Sequence, residues 1–264
     1  MINVLVNGCN GRMGQEVIKQ MDQYPDMVLS CGFDVFDKGL NTFPVYQKFE
    51  DIKDPVDIII DFSVPVSTLN ILDFAIENKI PIVIATTGFS EEEKEKIKQS
   101  SNIIPIFQSA NMSFDINLMS KIVSEIAPHL KNTDIEIIET HHNQKKDAPS
   151  GTALLLADSI NESLSNNMKY TFDRHSSNEK REKNEIGFSA IRGGNIVGEH
   201  TVKFFGEHET FEITHTSYSR TVFADGALKA AEFLVTKPAG FYNMNDLVNV
   251  KEQKRTSLMN FGII

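Results

Sequence analysis

The chain reads as an α/β protein, a doubly wound parallel sheet plus a smaller α+β domain with an open, largely antiparallel sheet. Three observations predict this. In the first half, short runs rich in Val, Ile and Phe alternate with helical periodicities. Those runs are apolar throughout rather than every second residue, as strands covered on both faces by helices are. Past residue 112 the order changes to long helices and then closely spaced strands joined by Gly-containing turns.

Strands are expected at Ile2–Asn7, Val28–Asp34, Val56–Ser63, Ile80–Thr86 and Asn102–Gln108, with helices at Gly14–Gln23, Val66–Asn78 and Glu91–Gln99. Phe114–Leu130 is expected as an amphipathic helix and Asp134–Thr140 as a strand. In Thr152–Leu164, residues Ala153, Leu156, Ala157, Ile160 and Leu164 form one apolar stripe of a helix. The polar, aperiodic stretch Asn166–Glu185 reads as a mobile loop. Strands then follow at Ile186–Arg192, Ile196–Phe205 and Thr210–Ser217. Their short links, Gly193-Gly194-Asn195 and Gly206-Glu207-His208-Glu209, predict antiparallel neighbours. Ala224–Thr236 closes the pattern as a helix.

Composition narrows the function. The 264 residues carry a net charge of −10 and no basic stripe interleaved with aromatics, so nucleic acid is not an expected partner. No apolar run approaches the ~20 residues that cross a bilayer, and the N-terminus lacks the basic region and cleavage site of a signal peptide. No membrane partner is expected, and the location is expected to be cytoplasmic. Cys9 and Cys31 are too few for a disulfide framework or a zinc site.

The first strand runs into Gly8-Cys9-Asn10-Gly11-Arg12-Met13-Gly14, with a helix directly after it. Glycines allow the tight turn and let backbone N–H groups approach a pyrophosphate at a helix start. A plain turn is the competing reading of any glycine loop. Here Asp34, at the end of the second strand and twenty residues past Gly14, favours a dinucleotide, because a carboxylate there bonds the adenosine ribose hydroxyls. The same carboxylate repels a 2′-phosphate. NADH is therefore the preferred cofactor, with NADPH tolerated because Arg12 and Lys38 are near in sequence. Ala85-Thr86-Thr87-Gly88 and Ser109-Ala110-Asn111-Met112 follow the fourth and fifth strands, where ligands meet such sheets. Their small polar residues suit a nicotinamide ribose and carboxamide, or else simply form strand-to-helix loops.

The most distinctive segment runs from Glu139 through His141-His142-Asn143-Gln144-Lys145 to Pro149-Ser150-Gly151-Thr152. Adjacent histidines on a strand end cannot both face a core, because side chains alternate. Two imidazoles, an ammonium and the free N–H groups of a helix start would make an anion pocket that also donates protons. A metal is a rival reading, but no carboxylate or thiol stands at ligand spacing; a solvated basic loop is the other. Lys146 is assigned to solvent, His200 and His215 to packing within the sheet, and His129, His175 and His208 to the surface. Arg220 stays open between substrate and subunit contacts.

These motifs, with Asp61-Phe62-Ser63, Thr86-Thr87-Gly88-Phe89 and Arg192-Gly193-Gly194 through Gly198-Glu199-His200-Thr201, resemble the 4-hydroxy-tetrahydrodipicolinate reductase family over nearly the whole chain. The resemblance implies an NAD(P)H-dependent oxidoreductase of lysine and diaminopimelate biosynthesis, acting on a small dicarboxylate. It implies His141 and Lys145 as proton donors, and His142, Gly151 and Thr152 as substrate-carboxylate contacts. It further implies that Gly8, Cys9, Asn10, Gly11, Arg12, Met13, Asp34, Ala85, Thr86, Thr87, Ser109, Ala110, Asn111 and Met112 line the cofactor. The implied organisation is a Rossmann-like domain of residues 1–112 and 224–264 around a substrate-binding and oligomerisation domain of residues 113–223, assembled as a homotetramer through the second sheet. Many members have Phe at the place of Met112, and the basic residue that sometimes follows the ribose-binding acid is Val35 here, which weakens the case for NADPH. The competing functions are a dehydrogenase of another small amino or keto acid, and a redox sensor that binds dinucleotide without turnover.

Overall fold

The computed structural model describes residues 1–249 apart from 38, 40, 131, 176 and 177. The chain falls into two compact units. One comprises Met1–Cys9, Asp26–Ser109 and the described residues from Leu228 on; the other comprises Asn10–Pro25 and Ala110–Ala227. Residues 10–25 thus cluster with the second unit, although the sequence grouped them with the first. Among the described residues no helix is long and apolar enough to cross a membrane.

The first unit is built on strands β1 (Ile2–Asn7), β2 (Met27–Phe33), β3 (Val45–Tyr46), β4 (Ile58–Asp61), β5 (Ile82–Ile84) and β6 (Pro105–Gln108), with a last strand at Gly240–Tyr242. Their order is Gly240–Tyr242, β6, β5, β4, β1, β2, β3, and every pair is parallel. The chain leaves β1 toward β2 and then restarts on its other side at β4, so the strand order reverses between β1 and β4. Ligands of open α/β sheets bind at such a reversal, outside the strand C-termini. Ile58, Ile59 and Ile60 on β4 are all fully buried, as expected for a strand covered on both faces. Each such side chain contributes about 1.5–3 kcal/mol on burial.

Local signals place the helices. After α1 (Arg12–Gln20), helix α2 (Pro65–Asn78) has Pro in its first turn and ends on Lys79 in the left-handed region. Helix α3 (Glu91–Ser100) starts from a capping box in which Ser90 accepts from the Glu93 N–H and the Glu93 side chain accepts from the Ser90 N–H.

The second unit packs α4 (Phe114–Ile126) and α5 (Gly151–Ser163) on a sheet of β7 (Asp134–His141), β8 (Lys169–Thr171), β9 (Glu185–Arg192), β10 (Gly198–Phe205) and β11 (Thr210–Ser217). Met119 and Val123 of α4 and Leu156 and Ile160 of α5 close over Ile135 and Ile137 of β7 and Val202 and Phe204 of β10. The strand order is β11, β10, β7, β9, β8. β10 is antiparallel to β11 and β7, whereas β9 runs parallel to β7 and to β8. The sheet is therefore mixed, which corrects the largely antiparallel expectation. The reason lies in the Gly193-Gly194-Asn195 link. Instead of closing a hairpin, it wraps over the end of β7: Gly193 N–H donates to His141 O (2.9 Å), and Gly194 O and Ile196 O accept from the Asn143 (3.2 Å) and His142 (2.7 Å) N–H groups. A second correction concerns Asn166–Glu185. It carries β8, and its Arg181 bonds the Ile135 and Glu185 carbonyls (3.0 and 2.6 Å) and pairs with Glu136 and Asp134.

Gly8 follows β1 at φ +78°, and a Cβ there would lie 2.5 Å from the Phe62 backbone oxygen. Gly8→Ala is expected to cost at least about 1–3 kcal/mol in urea unfolding from the backbone conformation alone. A loss below about 0.5 kcal/mol, the usual scatter of neutral substitutions, contradicts that tight approach.

Candidate active site

In the first unit, the residues expected to meet a dinucleotide sit at the C-terminal ends of the parallel strands. Asn7 ends β1 in register with Asp61, which ends β4. Asp61 is fully buried and accepts from Asn7 Nδ2 (2.7 Å), Ser63 Oγ (2.5 Å) and Thr68 Oγ1 (2.7 Å), with Thr86 as a further donor. Burial pushes its carboxyl pKa up, and the hydroxyl and amide donors pull it back. Thr86, itself buried, accepts the Ser63 N–H at 2.9 Å, so the loops after β4 and β5 are tied to one acid. Asp34 lies half-buried after β2, its own N–H on Tyr46 O (3.1 Å) and its carboxylate accepting the Val35 N–H (2.8 Å). Val35 is exposed, and Lys38 lies outside the described residues. Ala85 and Ser109 are half-buried and Thr87 exposed. Cys9 is fully buried, and the N–H groups of both Gly8 and Cys9 donate to Phe33 O (2.9 and 3.3 Å). Those two residues shape the loop and have no backbone donor left over for a ligand.

In the second unit, α1 starts after Gly11 with no side-chain cap and no acidic residue in its first turn. The N–H groups of Arg12, Met13 and Gly14 therefore stand without an intrahelical acceptor, as an anion requires. Asn10 and Met13 are half-buried, and Gly11 and Arg12 exposed. Ala110 is exposed, and Met112 is buried. Asn111 donates from Nδ2 to Thr152 Oγ1 at 2.9 Å, so a residue expected at the cofactor is bonded to one expected at the substrate.

The histidine segment is set by β7. Its buried positions are Ile135, Ile137, Glu139 and His141, one face of an alternating strand. His142 falls on the other parity and is half-buried. His141 Nδ1 lies 2.5 Å from Glu139 Oε2, and Arg192 from β9 forks onto both Glu139 oxygens at 2.7 Å each. Burial works to raise the Glu139 pKa, but Arg192 and His141 outweigh it and hold the carboxyl below its ordinary value. Burial lowers the pKa of His141; Glu139 opposes this, Lys145 and Arg192 add to it, and the net direction is down. Lys145 pairs with Asp147 at 2.9 Å.

Ser150 begins α5. Its hydroxyl accepts the Ala153 N–H (3.2 Å) and meets His200 Nε2 (2.9 Å), while its own N–H donates to Glu139 Oε1 (3.1 Å). The Gly151 and Thr152 N–H groups then open the helix without an intrahelical acceptor, and the first turn holds no acid. A cavity of about 40 Å³ is lined by His141, Thr152, Asn111, Gly198, His200 and His215 among others. It has room for a few waters by the usual allowance of about 10–15 Å³ each. His141, Thr152 and Asn111 are thus brought together, whereas Lys145, His142 and Gly151 do not line this cavity. Among the described residues no cluster of three His, Cys, Asp or Glu fit to hold a metal occurs.

Sequence reasoning passed over Glu139, Ser150 and His200. Glu139 was detectable, since it shares parity with Ile135 and Ile137 and an inward carboxylate must have partners. His200, read as a sheet residue, stands edge-on to His141 with ring centroids 5.1 Å apart. Its link to Ser150 joins residues fifty apart, which no local pattern signals. His129, His175, His208 and Arg220 are exposed.

Burial, reinforced by His141, lowers the His200 pKa from 6.5 to about 3. Between those values the unfolded chain binds a proton that the folded chain refuses, so stability falls as pH drops through that window. His200→Gln removes this contribution. Between pH 6 and 4 its unfolding free energy should fall less steeply than wild type, by up to about 1.4 kcal/mol per pH unit. Parallel slopes in urea titrations would show that His200 is not held neutral.

Two family models together match nearly the whole chain. The family model described as dihydrodipicolinate reductase, N-terminus, matches residues 2–112, and that described as dihydrodipicolinate reductase, C-terminus, matches residues 115–248. A 4-hydroxy-tetrahydrodipicolinate reductase of Caldanaerobacter subterraneus subsp. tengcongensis is 48% identical over 248 residues, 94% of this chain and 98% of its own length. One from Clostridium tetani is 45% identical over 250 residues, again 94% and 98% of the two chains. Among solved structures, a dipicolinate-bound dihydrodipicolinate reductase from Paenisporosarcina sp. TG-14 matches with a TM-score of 0.77 at 26% identity, covering 93% of this chain and 99% of that one.

Proposed function

This chain belongs to the dihydrodipicolinate reductase family, and from that premise we propose that it reduces 4-hydroxy-tetrahydrodipicolinate to tetrahydrodipicolinate with NADH as its preferred cofactor. The observation that carries this reading is the start of α5. Uncapped N–H groups at Gly151 and Thr152 suit a carboxylate, and His141 and Thr152 line one cavity. The relatives compared above are named as this reductase, which favours it over the other dehydrogenase and the non-catalytic sensor.

Reduced nicotinamide, when bound, supplies a hydride. The substrate loses its ring hydroxyl as water, the resulting conjugated imine takes the hydride at carbon, and one proton completes the addition. The chain's own residues hold the substrate and provide that proton. Gly151 and Thr152 receive a carboxylate at the helix start, and His142 assists. Lys145 brings an ammonium with three donors to the same segment. His141 adds an imidazole whose proton is released below the ordinary histidine range in the free protein; a dianionic substrate opposes that shift.

The residues present fit a dinucleotide. In the second unit the α1 start lacks a cap and an acid; in the first, Gly8 packs closely on the Phe62 backbone and Asp34 directly follows β2. Arg12 and Met13 would donate to the pyrophosphate and Asp34 would accept from the adenosine ribose. Ala85 to Thr87 and Ser109 to Met112 remain the proposed surroundings of the nicotinamide ribose. Our reading also places the enzyme in the cytoplasm as a homotetramer joined through the second sheet. The exposed apolar side chains Ile191 on β9 and Phe205 on β10, both on the side of the sheet away from α4 and α5, support that face.

A coupled assay with the product of dihydrodipicolinate synthase, following loss of reduced-nicotinamide absorbance, tests the reaction; no turnover with either cofactor defeats it. NADH should exceed NADPH in kcat/KM, because Asp34 opposes a 2′-phosphate and exposed Val35 supplies no counter-charge. A tenfold advantage for NADPH, about 1.4 kcal/mol, would refute this. Lys145→Ala and His141→Gln should each lower kcat by about 10²–10⁴-fold, with the larger loss at Lys145 and an unchanged NADH dissociation constant. His142→Gln should chiefly raise KM. Near wild-type kcat in both of the first two variants removes the proton-donor assignment.

A further inference from the structure

Glu139 is 1% exposed, and it is the only buried carboxylate among the described residues of the second unit. Its partners come from its own strand and from two other elements. Arg192 of β9 reaches both oxygens, His141 of β7 meets Oε2, and the Ser150 N–H at the head of α5 meets Oε1. Each oxygen thus accepts two hydrogen bonds, which fills a carboxylate's capacity. With the carboxyl held ionised, it can only accept, so the proton on the short His141 contact belongs to Nδ1. The other ring nitrogen, Nε2, then exchanges protons at the cavity. There it lies 3.1 Å from where a Cβ on Gly198 would stand, so Gly198 leaves the reactive nitrogen its room.

We propose that Glu139 is the positioning residue of this active site, fixing the tautomer and orientation of His141 and, through Ser150, seating the carboxylate-binding start of α5. The inference rests on the reading of His141 as a proton donor. One group then holds two parts of the machinery in register: the acid on β7 and the anion cradle on α5. The charged and titratable groups facing His141 are Glu139 on its own strand, Lys145 in the following turn, Arg192 on β9 and His200 on β10. His215 and Asp147 act on it at one remove, through His200 and through Arg192 and Lys145. Among the groups that face it directly, Glu139 alone favours the protonated imidazole.

The two ends of the Arg192–Glu139 pair therefore push the His141 ionisation in opposite directions, which a general loss of packing would not do. The test is the pH dependence of kcat/KM for wild type, Glu139→Gln, Arg192→Gln and His141→Gln, with the NADH dissociation constant and thermal melts as controls of folding. Glu139→Gln places an amide donor against His141 or against the Ser150 N–H. It should lower kcat at least tenfold and move the His141-dependent limb about one pH unit downward, the smaller end of the effect of a charge at this distance. Arg192→Gln should move the same limb upward. Should Glu139→Gln fail to fold, the upward shift in Arg192→Gln still decides the matter. If His141→Gln loses kcat while the limb stays in place in the Glu139 and Arg192 variants, the positioning role is overturned and the proton donor stands. If His141→Gln keeps its kcat, the donor assignment itself has failed.

Discussion

A carboxylate taken out of water must be met by donors on both oxygens, and the second unit is arranged so that Glu139 is. β7 brings Glu139 inward between Ile137 and His141. β9 must run parallel beside β7 for Arg192 to fork onto the acid, and the pairing of His141 with Arg192 in the strand register meets that condition. The link from β9 to β10 then bonds across the end of β7, which fixes the backbone of His141, His142 and Asn143. Finally, the Ser150 N–H anchors α5 to the same carboxylate. The mixed pairing of the sheet, the wrapped Gly193–Asn195 link and the placement of the helix start all meet at this one ion.

The first unit shows a parallel solution with different chemistry. Asp61 is buried at the strand reversal without a cation and is satisfied by the neutral donors Asn7, Ser63, Thr68 and Thr86. Its carboxyl is pushed up where that of Glu139 is pulled down, because hydroxyls and an amide compensate burial less than a guanidinium does. In each unit a buried acid organises loops that emerge at strand ends, where ligands of such sheets are met.

Much of this was legible in the sequence where a long period or a cap existed. β1 and β11 coincide with their expected ranges, and α2, α3, α4 and α5 lie within a few residues of theirs. The short strands β3, β8 and Gly240–Tyr242 offer too few residues to show a period and were missed, whereas the equally short β5 sits inside the longer apolar run Ile80–Thr86. Sheet order failed for a different reason. A short Gly-rich link normally closes a hairpin, but here β7 lies between the two strands that the link joins. The histidine segment was readable because adjacent histidines on a strand must face opposite ways, as buried His141 and half-buried His142 do. Its partners were harder to read, since Arg192 and His200 reach it from residues more than fifty positions on, and only the fold brings them near.

An ionised, fully partnered Glu139 keeps a proton on His141 Nδ1 and leaves Nε2 to exchange. ¹⁵N chemical shifts of the His141 ring, assigned by comparison with His141→Gln and followed across pH, read this directly. Nδ1 is expected to remain protonated throughout the folded range, with titration confined to Nε2. An Nδ1 with the shift of an unprotonated imine nitrogen, or both ring nitrogens exchanging as in free imidazole, would contradict it.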